Sequence, residues 1–293
     1  MTPGSKGSEG SAGPKGPEKS AALGAASPPP IARWRLIIHP KMDGRLDMAI
    51  DEALAVEIGE GRSPPVLRLY GFSPPTLSLG RFQRIKGLCD TDRLAADGVT
   101  LVRRPTGGHA VLHDDELTYS AILSKANAET LLGNSRKRTV YEFVARLLLA
   151  GLANLGIKGL INASQQGDIR NPDCFGSAGE YEISSSAGRK LIGSAQMASR
   201  RAILQHGSIP MSNPGRLVFR YIRADQPVDS HEPSPLNEEA GRKLDFEEVR
   251  DAFARAVRAA LPADESALSA LEEAAARGIL ESRFANDAWT FQY

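Results

Sequence analysis

The chain predicts an α+β fold with a mixed, largely antiparallel sheet flanked by helices. Three observations lead there: strand-like runs come in hairpin-spaced groups, amphipathic helices interrupt them at irregular intervals, and the regular strand–helix alternation of a doubly wound sheet is missing. The 293 residues, 41% of them hydrophobic, suffice for one large domain with a substantial core. Residues 1–30 are Gly, Ser, Pro, Ala and Lys with almost no large apolar side chain. They bury too little surface to offset the entropy of ordering and are expected to form a disordered tail. The main domain is then expected over 33–245, with 246–293 supplying C-terminal helices packed on it.

The first element, 34–39, reads as a strand ended by Pro40. Over 46–60, Leu46, Ala49, Ile50, Ala53, Leu54 and Ile58 recur at helical spacing, which puts Asp51, Glu52 and Glu57 on or beside the wet face. Runs 66–72 and 76–80 read as strands joined by Ser73-Pro-Pro75, and 91–96 as a short helix. Strands are predicted at 99–104, 110–113 and 117–123. In its plainest reading Pro105-Thr-Gly-Gly108 is a hairpin turn between the first two. The strongest helix spans 139–155, where Val140, Phe143, Val144, Leu147, Leu148, Leu152 and Leu155 form one apolar stripe. Strands follow at 180–184, 190–198 and 202–209. Residues 211–243, polar and punctuated by Pro214, Pro227, Pro233 and Pro235, predict a long surface excursion. Helices at 246–261 and 265–277 complete the order.

Composition excludes several roles. Lys plus Arg number 36 against 35 Asp plus Glu, so charge offers no basis for binding nucleic acid or an anionic membrane. No run approaches the 18 or more apolar residues of a membrane span, and the N-terminus lacks a charged start followed by an apolar core. Cys89 and Cys174 cannot make a disulfide framework, so a reducing, cytoplasmic setting is expected.

Cys174 stands sixteen positions before Lys190, with strand, turn and strand patterns between. Such a hairpin folds a thiol back towards an ammonium group, which favours the thiolate that attacks carbonyl carbon. The plain alternative is a structural cysteine and a solvated lysine. A second block, Arg103 to Ser120, combines Arg104, an anion holder by type, with Thr106 and the close-approach residues Gly107 and Gly108. His109 and His113, four apart, share one side of an extended segment. They are an incomplete metal site, and no Walker-type phosphate loop occurs. In the third block, Lys190-Leu-Ile-Gly-Ser-Ala-Gln196, alternation lets Lys190 point at a cleft whose floor is shaped by Gly193, Ser194, Ala195 and Gln196. His206 on the following strand is a further polar candidate.

These blocks, in this order and with Asp47-Met-Ala-Ile-Asp-Glu-Ala-Leu54 before them, resemble the biotin/lipoate protein ligase and lipoyl transferase superfamily over residues 33–210. Cys174-Phe175 preceding Gly188-Arg-Lys190 is similar to the LipM-type octanoyltransferases. The resemblance implies the fold of the biotin/lipoate ligase catalytic domain with an acyl tunnel. It implies transfer of octanoyl from octanoyl-acyl carrier protein to a lysine of a lipoyl domain, typically the glycine cleavage H protein. Carried over, Cys174 accepts the acyl group and Lys190 lowers its pKa. Arg104, Thr106, Gly107, Gly108, His109 and His113 line the substrate site, together with Gly193, Ser194, Ala195, Gln196 and His206. No cofactor or metal is implied, because a thioester donor is already activated. His109 stands where relatives often carry Arg. An ATP-dependent lipoate ligase and an amidotransferase between lipoyl domains remain alternatives.

Overall fold

Two sheets organise residues 33–161, 182–212, 215–223 and 233–293, which the computed structural model describes. In chain order the elements are β1 (Trp34–Met42), α1 (Gly44–Gly59), β2 (Val66–Phe72), β3 (Thr76–Leu79), α2 (Thr91–Ala96), β4 (Thr100–Arg103), β5 (Val111–His113), β6 (Glu116–Ser124), α3 (Lys125–Leu132) and α4 (Lys137–Ala153). They continue as β7 (Gly159–Ile161), β8 (Ile183–Ser185), β9 (Lys190–Ala198), β10 (Ala202–Pro210), α5 (Gly215–Val218), α6 (Leu236–Glu239), α7 (Phe246–Ala260), β11 (Ala263–Glu265), α8 (Ala270–Ile279) and α9 (Asp287–Thr290). The large sheet has the order β11-β1-β2-β6-β10-β9-β8-β7, parallel at β11, β1 and β2 and antiparallel from β2 onward. The small sheet, β4-β3-β5, pairs β3 parallel to β4 and antiparallel to β5. The mixed, mostly antiparallel α+β architecture expected from the pattern is therefore the observed one.

Alternation along β6 shows how the large sheet faces two ways. Leu117, Tyr119, Ala121 and Leu123 join the apolar stripes of α4 (Val140, Val144, Leu148, Leu152) and α7 (Val249, Phe253, Val257) in the principal core. Ile122 joins Ile50, Leu54 and Ile58 of α1 on the opposite side, with Ala276 of α8 behind them. Gly151 of α4 admits the Phe253 ring, which would lie 2.4 Å from a Cβ at that position. The small sheet has its own core of Leu77, Leu79, Leu94, Leu112 and Ile222. Met48, Tyr70, Phe72 and Val102 pack between the sheets. Among the described residues no helix is long and apolar enough to cross a membrane.

Several expectations need correction. Pro40 does not end β1, which continues to Met42 through a register shift between Ile38 and Lys41, where a missing N–H is tolerated. Asp51 and Glu57 are buried, because α1 is covered on more sides than its apolar stripe indicates. Gly107 and Gly108 do not close a hairpin: β3 lies between β4 and β5. Ala263–Glu265 is a parallel edge strand on β1, so the last long helix begins only at Ala270, after the Ser269/Glu272 capping box. The described parts of 211–243 are only partly superficial, with Leu217 and 241–243 exposed and other residues packed inward. Met211, Val218, Ile222, Ser234 and Leu236 are buried, and Ser234 N donates to Lys190 O at 2.8 Å. Helix α3, opened by the Ser124/Asn127 capping box and closed by Gly133 at φ 76°, was not expected, nor was β7.

Candidate functional site

Between the two sheets, beside α1, lies a narrow slot with a cavity volume of about 30 Å³. The large sheet contributes Tyr70, Thr118, Gly193, Ser194, Ala195, His206, Gly207 and Ser208. The small sheet and its loop contribute Ser78, Arg104, Val111 and His113, and α1 contributes Met48. Adjacent strands put these residues in register: Thr118 pairs with Ser208, and Ser208 with Gly193. His206 pairs with Ser120 on one side and Ala195 on the other.

Two hydrogen-bonded chains run through the wall residues from the 104–106 segment, each ending on a buried carboxylate. In the first, Arg104 Nη1 donates to Ser78 Oγ at 3.1 Å, and Ser78 Oγ lies 2.8 Å from His113 Nε2. His113 Nδ1 lies 2.6 Å from Glu116 Oε1. Glu116 also accepts from Thr118 Oγ1 at 2.5 Å and from Ser208 Oγ. In the second, Thr106 Oγ1 lies 2.7 Å from His206 Nε2, and His206 Nδ1 lies 3.3 Å from Asp51 Oδ2. Because both carboxylates are acceptors, the network assigns the Nδ1–H tautomer to each histidine, and each Nε2 accepts from a hydroxyl. His113 also stacks on Phe72 with ring centroids 4.2 Å apart.

Charge is concentrated beneath Asp51. Its carboxylate accepts from Arg68 Nη1 (2.9 Å), Ser120 Oγ (2.8 Å) and Tyr70 OH (3.0 Å). Burial works against the Asp51 charge, yet the bonds from His206, Arg68 and Ser120 bring its carboxyl below the ordinary value. Arg68 bonds Asp47 as well, and its guanidinium sits 3.8 Å from the Tyr70 ring centroid. With Arg68 shared between two carboxylates, burial pushes Asp47 up to about 7. Burial lowers the His206 imidazole despite its Asp51 partner, which keeps the ring neutral at the slot.

The structure disperses the expected residues over distinct positions. Arg104 turns inward, donating to the carbonyls of Gly107 (2.8 Å), His109 (2.6 Å) and Ser78 (3.1 Å), and so shapes the Gly107–Gly108 loop. Gly108 has φ 90°, and its carbonyl passes so close to Gly80 that a Cβ there would lie 1.8 Å away. Thr106 is buried behind His206, and His109 presents its carbonyl to Arg104 rather than its ring to the slot walls. His113, Gly193, Ser194, Ala195 and His206 line the slot together. Gln196 lies outside its walls, bonded to Gln205 Oε1 at 3.1 Å and Lys137 O at 3.2 Å. Lys190, three residues before Gly193 on β9, is only 3% exposed, and its Nζ donates to Glu182 Oε1 at 2.7 Å. Cys174 lies outside the described residues.

Met48, Tyr70, Ser78, Thr118 and Ser208 were not singled out from sequence, nor were Asp51 and Glu116 behind them. One signal was available: Thr118 and Ser120 alternate with apolar residues on a strand buried along both faces.

Comparisons with known proteins accord with this architecture. The model of the lipoyl protein ligase A/B catalytic domain matches residues 43–258. An octanoyltransferase LipM from Symbiobacterium thermophilum is 37% identical over 275 residues, covering 88% of this chain and 98% of its own. Another from Moorella thermoacetica is 37% identical over 238 residues, covering 78% and 86%. Among solved structures, lipoate-protein ligase A bound with ATP superposes with a TM-score of 0.74 at 22% identity, covering 88% of this chain and 98% of that one. A bipartite lipoate protein ligase from Thermoplasma acidophilum gives a TM-score of 0.71 at 21% identity, covering 89% and 96%. The chain thus belongs to the lipoyl protein ligase A/B catalytic-domain family and is an acyltransferase whose similarity to LipM octanoyltransferases extends over most of its length.

Proposed function

We propose that this acyltransferase moves an octanoyl group from octanoyl-acyl carrier protein, through a thioester on Cys174, to the lysine of a lipoyl domain such as that of the glycine cleavage H protein. Two points support the assignment of the thiol. Cys89, the other cysteine in the sequence, is not a wall of the slot, and burial, reinforced by Asp90, pushes its thiol up to about 11. A nucleophilic thioester former needs an accessible thiolate, which disfavours Cys89, and the similarity of Cys174-Phe175 before Gly188-Arg-Lys190 to the LipM-type octanoyltransferases supports Cys174 in the role.

The reaction then has two balanced steps. The Cys174 thiolate attacks the donor carbonyl, its C–S bond forms, and the carrier thiol departs with a proton. The neutral acceptor amine next attacks the acyl-cysteine, the amide C–N bond forms, and the thiol is regenerated with the proton that the amine gives up. Lys190 supplies positive charge for the thiolate, while the buried Glu182 fixes where that charge sits. The polar wall residues of the slot are bonded to one another or to buried partners, which supports it as the inner end of the acyl site. Each buried methylene is worth about 0.8 kcal/mol.

Intact-protein mass spectrometry after mixing with octanoyl-acyl carrier protein, without nucleotide, tests the reading. Wild type and Cys89→Ser are expected to gain one octanoyl group, and Cys174→Ser none. An adduct that survives in Cys174→Ser sinks the thioester assignment, and a strict need for ATP favours a ligase. Octanoylated H protein offered as a competing donor separates the transferase from an amidotransferase.

A further inference from the structure

We propose that Trp289 and Arg103 are positioning residues for the transfer reaction: residues 289–293 latch Arg103, Arg103 gathers the 80–85 loop, and that loop holds the 104–108 segment against the slot. The proposal deepens the octanoyl-transfer reading and rests on it. Trp289 Nε1 donates to Arg103 O at 2.8 Å, and Arg103 Nε donates back to Thr290 O at 3.0 Å. The guanidinium of Arg103, fully buried, then draws three carbonyls of one loop together: its Nη1 donates to Gly80 O (2.9 Å), Arg81 O (3.2 Å) and Gln83 O (2.7 Å). Ile85 N donates to Tyr293 O at 2.9 Å, and the Tyr293 ring centroid lies 5.4 Å from Arg103 Cζ. Trp289 also lies between two cations, with Arg283 at 4.6 Å and Arg81 at 5.9 Å from its ring.

The 80–85 loop depends on these bonds because it packs little of itself: Ile85 is buried, whereas Phe82 is 69% exposed and Arg84 is exposed. Three carbonyls converge on one nitrogen only while a planar, multi-donor fork is aimed at them, and Thr290 O and the Tyr293 ring aim it. The loop in turn touches the site. Arg81 N donates to Thr106 O at 2.8 Å, and Gly80 lies against the Gly108 carbonyl. Thr106 bonds the wall residue His206, and Arg104, itself a wall, bonds the carbonyls of Gly107 and His109. Loss of 289–293 therefore frees a loop on which two walls of the slot depend, and misplacement by about 1 Å can cost on the order of 100-fold in rate.

The test is single-turnover acylation by octanoyl-acyl carrier protein, followed by intact-protein mass spectrometry. Its amplitude counts the folded enzyme and its rate constant reads the geometry of the site. Trp289→Ala, which removes the anchor, and Arg103→Lys, which keeps the charge but not the fork, are expected to lower the rate constant at least tenfold. Trp289→Phe, which keeps the ring and loses only the bond to Arg103 O, is expected to recover most of that loss. Limited trypsin digestion of the full chain reads the latch without transfer: cleavage after Arg84 and Lys86 should quicken at least tenfold in Trp289→Ala relative to cleavage elsewhere in the same sample. Absence of any wild-type adduct counts against the transfer reading alone, and the digestion still decides the latch. A wild-type rate constant in Trp289→Ala, at full or reduced amplitude, makes the contact merely structural and overturns the positioning role, as does an unchanged cleavage ratio.

Discussion

The shared guanidinium beneath the slot predicts an unusual dependence of stability on pH. Asp47 and Asp51 compete for Arg68 with no exposure to water. Asp51 has further donors in Ser120, Tyr70 and His206, whereas Asp47 Oδ2 has no partner among the described residues. The proton therefore goes to Asp47, which burial pushes from the ordinary 3.8 up to about 7. Its folded value exceeds its unfolded one, so its contribution to stability is complete below the unfolded value and is lost as pH rises through about 7. At about 1.4 kcal/mol per pH unit, the loss between pH 5 and pH 8 comes to about 3 kcal/mol. His39, which burial and then Arg68 lower to about 4, has the opposite sign: its contribution is present above 6.5 and lost as pH falls through about 4. Asp47→Asn isolates the first effect, because an amide cannot titrate and resembles the protonated carboxyl. Urea unfolding at pH 5, 6, 7 and 8 should show the variant gaining about 3 kcal/mol on wild type across the series. Parallel curves would mean that Asp47 stays ionised and that Arg68 satisfies both carboxylates.

Other perturbations address separate parts of the molecule. Gly80→Ala places a Cβ 1.8 Å from the Gly108 carbonyl, so the Gly107–Gly108 loop has to move; octanoyl transfer should fall by on the order of 100-fold, and an unchanged single-turnover rate would detach the loop from the site. Gly151→Ala drives a methyl into Phe253 and should cost about 1 to 3 kcal/mol in urea unfolding, and full stability would show that α4 and α7 adjust freely. Lys190→Ala should slow acylation of Cys174 at neutral pH and recover in part as pH rises and the thiol ionises unaided. Equal rates at pH 7 by mass spectrometry would remove Lys190 from the chemistry.

Period and punctuation made the scaffold legible. The stripe from Val140 to Leu152 could pack only against another element, and strand β9 was readable to its ends. Residue type misled where partners come from distant segments. Asp51 on a helix reads as solvent-facing until Arg68, Ser120 and His206 arrive from three strands to bond it. Thr106 and His206 are one hundred positions apart, and no spacing rule joins them. Residues 211–243 read as surface because they are sparse in large apolar side chains, yet Ser234 is buried by bonding its backbone N–H to Lys190 O and its hydroxyl to Glu239.

The polar residues of central strands are the part of the site that better sequence reading can recover. A hydroxyl inside a sheet covered on both faces is costly unless something accepts its hydrogen. Thr118, Ser120 and Ser208 therefore imply buried acceptors by residue type and strand pattern alone, and the carboxylates of Asp51 and Glu116 lie in the two motifs nearest in sequence to α1 and β6. Which hydroxyl meets which carboxylate follows instead from strand order. Only the β2-β6-β10-β9 pairing puts Ser120 beside His206, and Ser208 between Thr118 and Gly193. The same pairing makes polar side chains into the wall of the slot, so the register of three strands, as much as any single residue, defines its shape.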